Sequence, residues 1–145
     1  MTFKKEFAII SINKDMLNRG KQSRENHNKV HKGGYSKFDS PNDAYLGGVG
    51  ESVFETILKE HDLIKGKDKD YITNKDLKVK YDPWDFEINR SKTSLEIKTQ
   101  NYNFGQIDEN WEVAVASQQI DKKGDYYVFV FVDKKFETAR IVGYI

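Results

Sequence analysis

The sequence predicts an α/β domain built on a β-sheet, and three stretches carry that prediction. Asp125 to Val132 reads DYYVFVFV, almost wholly β-branched or aromatic, as in a strand buried on both faces. Tyr81 to Gln100 holds two short runs of period-2 alternation separated by a polar turn. Between Asp39 and about Asp62, Leu46, Val49, Val53, Phe54, Ile57 and Leu58 recur at helical spacing.

Taken in order, Phe7 to Ile12 (FAIISI) is a short apolar run that reads as a first strand. Residues 13–38 are polar and basic, with seven cations against two acids, a local excess of +5 in a chain of net charge +1. Any affinity for nucleic acid must therefore come from a local patch rather than a global field. Lys21, Arg24, Lys29 and Lys32 are the expected contacts to a DNA backbone, in a segment that orders when phosphate is present. The bland alternative is a solvated loop or a small helix. His27 and His31 have the spacing of a helical metal pair but lack further thiol or imidazole partners.

Ser40-Pro41 reads as a helix start, with the helix proper expected after Gly47-Gly48-Val49-Gly50. No Gly-Lys-Ser/Thr follows those glycines, so they do not form a nucleotide P-loop. Leu63 to Asp76 reads as a charged surface connection, and Leu77, Val79 and Tyr81 as one more strand. Asn89-Arg90-Ser91-Lys92 closes a hairpin. After a loop at Tyr102 to Gly105, the segment following Asp108 fits either a helix or, through Trp111, Val113 and Val115, a strand. Asp133-Lys134-Lys135 makes a turn into a closing strand over Thr138 to Ile145.

Composition fits one domain spanning residues 1–145 around a real core: 37% apolar and 13% aromatic, too much for a disordered chain. The absence of cysteine removes disulfides and thiolate metal sites and favours a reducing, cytoplasmic setting, or the inside of a host cell if the chain is phage-encoded. No signal-peptide core or membrane-length apolar run is expected.

The chemistry concentrates in the hairpin. Trp84, Phe86 and Ile88 share one face of its first strand, and Leu95 and Ile97 one face of its second. Alternation then places Asp85, Glu96 and Lys98 together on the other, non-core side. Two carboxylates on adjacent strands suit Mg²⁺, a hard cation that takes few protein oxygens and keeps positions open. A lysine beside them can orient a water and stabilise charge at a phosphate undergoing attack.

The pattern Asp85, eleven-residue spacing, Glu96-Ile97-Lys98 resembles the PD-(D/E)xK nuclease superfamily. Here Asp82-Pro83-Trp84-Asp85 replaces the family's adjacent Pro-Asp, which leaves Asp82 as a competitor for the first acid; Asp85 is preferred because it opens the alternating run. The resemblance covers roughly Gly48 to Val132. It implies a restriction-endonuclease-like core, a central mixed β-sheet flanked by helices, with a helix after Lys98. It implies metal ligation by Asp85, Glu96 and the backbone carbonyl of Ile97, with Lys98 orienting the water. An acid on the first core helix, Glu51 with Glu55 second, would join them, and Gln118 or Gln119 would help position the site. The implied activity is Mg²⁺-dependent DNA cleavage, with Mn²⁺ substituting, 5′-phosphate products and a homodimer or higher homo-oligomer. The alternative is a DNA-binding module that keeps the fold without the chemistry.

Overall fold

The computed structural model describes residues 8–30, 41–60, 64–65, 68–69, 71–73, 84–89, 91–102 and 125–144. Its elements are β1 (Ala8–Ser11), α1 (Lys14–Val30), α2 (Pro41–Glu60), β2 (Ile64–Lys65), β3 (Asp68–Lys69), β4 (Tyr71–Thr73), β5 (Phe86–Ile88), β6 (Thr93–Tyr102), β7 (Tyr126–Asp133) and β8 (Thr138–Tyr144). A mixed six-stranded sheet runs in the order β1-β8-β7-β6-β5-β4, with β6 and β7 parallel and its other neighbours antiparallel. β2 and β3 form a separate small ribbon. The chain is an α/β domain.

The expected first strand, the β5–β6 hairpin and the β7–β8 pair all form. The β5–β6 hairpin pairs Ile88 opposite Thr93, with Lys92 in the left-handed region at φ 54°. Register between β6 and β7 is set at their start, where Ser94 and Asp125 bond reciprocally. Ser94 N–H donates to Asp125 Oδ2 at 2.9 Å, and Asp125 N–H donates to Ser94 Oγ at 3.0 Å. Glu96 then lies beside Tyr127 and Lys98 beside Phe129.

β7 is buried on both faces, as its composition requires. Val128, Val130 and Val132 join Ile97, Phe86 and Ala139 in a core against Val49, Val53, Phe54 and Leu58 of α2. Phe129 and Phe131 on the opposite face are also fully buried. Each such side chain contributes about 1.5–3 kcal/mol by leaving water.

Four expectations change. Residues 14–30, read as a polar segment that orders on phosphate, form a helix held by packing. Asn13 caps it, its Oδ1 accepting from Met16 N–H at 3.0 Å, and Met16 is buried in the core. α2 runs unbroken from Pro41 through the glycines instead of starting after them. Those glycines serve close approach. A Cβ on Gly48 would stand 2.4 Å from Ser23 Oγ on α1, and one on Gly20 would stand 2.8 Å from the Tyr45 carbonyl oxygen on α2. Part of the expected connection from Leu63 to Asp76 is strand: β4 pairs with β5, and β2 with β3. β6 also continues to Tyr102, into the expected loop. The expected strand at Leu77 to Tyr81, Asp82, His31, Lys32 and the segment from Asp108 through Gln118 and Gln119 lie outside the described residues. The two described helices lie on one side of the sheet, α2 against the strands and α1 against α2.

Candidate functional site

The site forms where β5 stops covering β6. β5 pairs with β6 only from Phe86 opposite Leu95 to Ile88 opposite Thr93. One residue earlier the ladder ends: Asp85 N–H still donates to the Leu95 carbonyl at 3.0 Å, but the next group on β6 meets a side chain. Ile97 N–H donates to Asp85 Oδ2 at 2.6 Å. Asp85 thus lies in line with the strand edge, and the Ile97 carbonyl, which leaves its strand on the same side as the Ile97 N–H, opens towards it.

Glu96 and Lys98 leave β6 on the face away from α2. Lys98 Nζ donates to Glu96 Oε1 at 3.0 Å and stands 5.9 Å from the centre of the Tyr127 ring. From the other face comes Glu51 of α2, whose carboxyl shares a hydrogen bond with that of Asp85. That approach is possible because the preceding residue is Gly50, whose missing side chain lets α2 press onto Thr99 of β6. The sheet edge therefore gathers Glu51, Asp85 and Glu96 from three elements, with Lys98 alongside.

This corrects the expected setting. Asp85 precedes β5 rather than riding on it, and Asp85 and Glu96 are only 8% and 7% exposed, so the expected non-core side is itself buried. The reason is that Tyr127, Phe129 and Phe131 share the face of Glu96 and Lys98, making both faces of the sheet dry at this point. Burial pushes the Asp85 carboxyl well above the usual carboxylate range, and the neighbouring Glu51 and Glu96 push it further. Glu51 is also raised by burial, against the opposing pull of Arg19. Both carboxyls are therefore raised, Asp85 well above its usual range.

Sequence reasoning missed Arg19. Its Nη2 lies 3.1 Å from Glu51 Oε2, reaching from α1 to α2. The signal was faint: a half-buried acid calls for a cation, but the partner lies 32 residues away. Glu55, expected as a second helix acid, has another task. It accepts from the Tyr71 hydroxyl at 2.8 Å and so ties α2 to β4. Of the expected DNA contacts, Lys21 is exposed on α1, Arg24 stacks 5.2 Å from the centre of the Tyr45 ring, and Lys29 lies near the end of α1.

No protein-family model matches this chain, and no curated protein matches it. Among the described residues, no three His, Cys, Asp or Glu side chains converge as a ready-made metal cage. No helix among them is long and apolar enough to cross a membrane. Two carboxylates and a carbonyl nevertheless make an all-oxygen donor set of the kind Mg²⁺ takes while keeping several waters. Burial and the neighbouring Glu51 and Glu96 disfavour the ionised form of Asp85, and a bound cation would offset both effects. The donor set fits a hard divalent cation.

Proposed function

We propose that the chain is a Mg²⁺-dependent endonuclease that hydrolyses DNA phosphodiester bonds, on a restriction-endonuclease-like core. One observation carries the reading. Glu51, Asp85, Glu96 and Lys98, drawn from a helix, a strand approach and a strand, meet beside β6 just past the end of its pairing with β5. A merely solvated hairpin would have no reason to bury two of these acids.

Asp85, Glu96 and the Ile97 carbonyl would hold the ion, with Glu51 in its outer surroundings; Mn²⁺ is expected to substitute. When bound, Mg²⁺ supplies charge stabilisation at the phosphate and lowers the pKa of water. The chain's own groups do the rest. Asp85 must be ionised to act as a ligand, and Glu51 shares a hydrogen bond with it. Lys98 is held by Glu96 within reach of the same region, where its ammonium can orient an attacking water and offset charge developing on the phosphate oxygens. Lys21, Arg24, Lys29 and Lys32 are the proposed backbone contacts, and cutting both strands of a duplex favours a homodimer or a higher homo-oligomer.

The test is Mg²⁺-dependent cleavage of supercoiled plasmid and of a branched DNA, comparing wild type with Lys98→Ala after both are shown folded and equally able to bind DNA. Cleavage by wild type alone is the expected result. Equal cleavage by both proteins refutes the assignment of Lys98. Tight metal-independent DNA binding without cleavage by wild type would favour a binding module instead.

A further inference from the structure

Arg19 has no place in the proposed chemistry, and the setting of its pair with Glu51 is costly. Both side chains are largely withdrawn from water, at 17% and 20% exposure. Ion pairs so placed often contribute no net stability relative to apolar residues of the same size. The pair is nonetheless rigidly framed. Gly20, next to Arg19, packs directly on Tyr45 and Val49, and Gly48 packs on Ser23 and the Arg19 carbonyl oxygen. α1 is thus fixed on α2 one residue from Arg19 and three residues from Glu51. The Glu51 carboxylate is held between a guanidinium from α1 and the carboxyl of Asp85.

We propose that Arg19 is a positioning residue that aims the Glu51 carboxylate at Asp85 and, through its charge, weakens the hold of the acid cluster on a divalent cation. The inference rests on the metal-dependent reading above. Three carboxylates here face two fixed cations, Arg19 and Lys98. A metal ion brought to Asp85 and Glu96 meets the repulsion of the guanidinium, so the site binds the ion less tightly than its acids alone would. In return Glu51 is kept in one place. The two effects have opposite consequences when Arg19 is removed: metal affinity rises while turnover falls. A residue that only joins two helices cannot produce that split.

The experiment is a Mn²⁺ titration of the full chain, read by the loss of the free-ion paramagnetic signal, alongside thermal melts and single-turnover cleavage. Arg19→Gln should bind Mn²⁺ about tenfold tighter than wild type, the size of one screened charge interaction, and cleave about tenfold or more slowly. Arg19→Lys keeps the charge but loses the planar fork. It should bind Mn²⁺ like wild type and still cleave more slowly. Equal or weaker binding by Arg19→Gln overturns the role of Arg19 and leaves the nuclease reading standing. Absence of Mn²⁺ binding by wild type overturns the nuclease reading, and this inference with it. If Arg19→Gln fails to fold, Arg19→Lys decides: tenfold altered Mn²⁺ affinity refutes the inference, and unchanged affinity with slowed cleavage supports it.

Discussion

Two glycines three residues apart on α2 should respond to the same substitution with opposite signs. An ideal Cβ on Gly50 would lie 1.8 Å from Thr99 Oγ1, 2.7 Å from its Cγ2 and 2.8 Å from its Cβ. Rotating Thr99 can relieve the first two contacts but not the third, which belongs to a β-branched residue anchored in a central strand. To reach ordinary contact at 3.4 Å, helix and strand must part by about 0.6 Å locally. Overpacking of this kind costs about 1–3 kcal/mol, and the better helix propensity of alanine returns about 1 kcal/mol. Because the contact is with the body of a side chain, the upper part of that range applies. Gly50→Ala should lose about 2 kcal/mol, or roughly 4–8 °C in Tm for a domain of this size. A Cβ on Gly47 would meet nothing within 4 Å, so Gly47→Ala should gain about 1 kcal/mol and roughly 2–4 °C. Thermal and urea unfolding of both variants measure this. Gly50→Ala should also weaken metal binding, since the displaced helix carries Glu51 away from Asp85. Thr99→Gly, which removes that Cβ, added to Gly50→Ala should recover part of the loss, with a coupling of about 0.5–3 kcal/mol. Equal shifts for the two glycines, or no loss in Gly50→Ala, would refute the idea that glycine at 50 sets the distance between helix and strand.

The raised pKa of Asp85 makes the metal-free protein lose stability as pH rises. The folded state keeps the proton that the unfolded chain releases near pH 4, so the stabilisation is complete below that value and disappears through the raised folded pKa. Asp85→Asn should flatten this dependence and be more stable than wild type in metal-free buffer at pH 8, yet inactive; urea unfolding across pH 4–9 tests it. In wild type, Mg²⁺ at a hundredfold over its Kd should add about 2.7 kcal/mol, and none of that gain should appear in Asp85→Asn. Tyr71→Phe removes the hydroxyl that Glu55 accepts and should cost about 0.5–1.5 kcal/mol in unfolding experiments. Its cleavage rate should stay at the wild-type value, and a loss of cleavage with the fold intact would return Glu55 to the site.

What could be read from the sequence, and what could not, divides along the range of the interactions. The β5–β6 hairpin was legible because alternation and a polar turn are local signals, and Asp85, Glu96 and Lys98 came with it. β7 was legible because its whole length must be apolar when both faces are dry. That dryness is also why the expected non-core side is buried here. Alternation says which side chains lie together, but whether their face meets water depends on the neighbouring strand, and here that strand supplies Phe129 and Phe131. The helical pairing was hidden for a different reason. An amphipathic helix announces itself by an apolar stripe, whereas α1 and α2 meet through Gly20, Ser23 and Gly48, and so gain contact by closeness. A polar, glycine-spaced segment of this kind reads as loop until its partner is known. Once the partner is in place, the same glycines explain the site. Close helix packing brings Arg19 to Glu51, and close helix-to-strand packing at Gly50 brings Glu51 to Asp85. The acids on the sheet could be found from local pattern. Glu51 was legible only through the family resemblance, and no local pattern joins it to Arg19, 32 residues away.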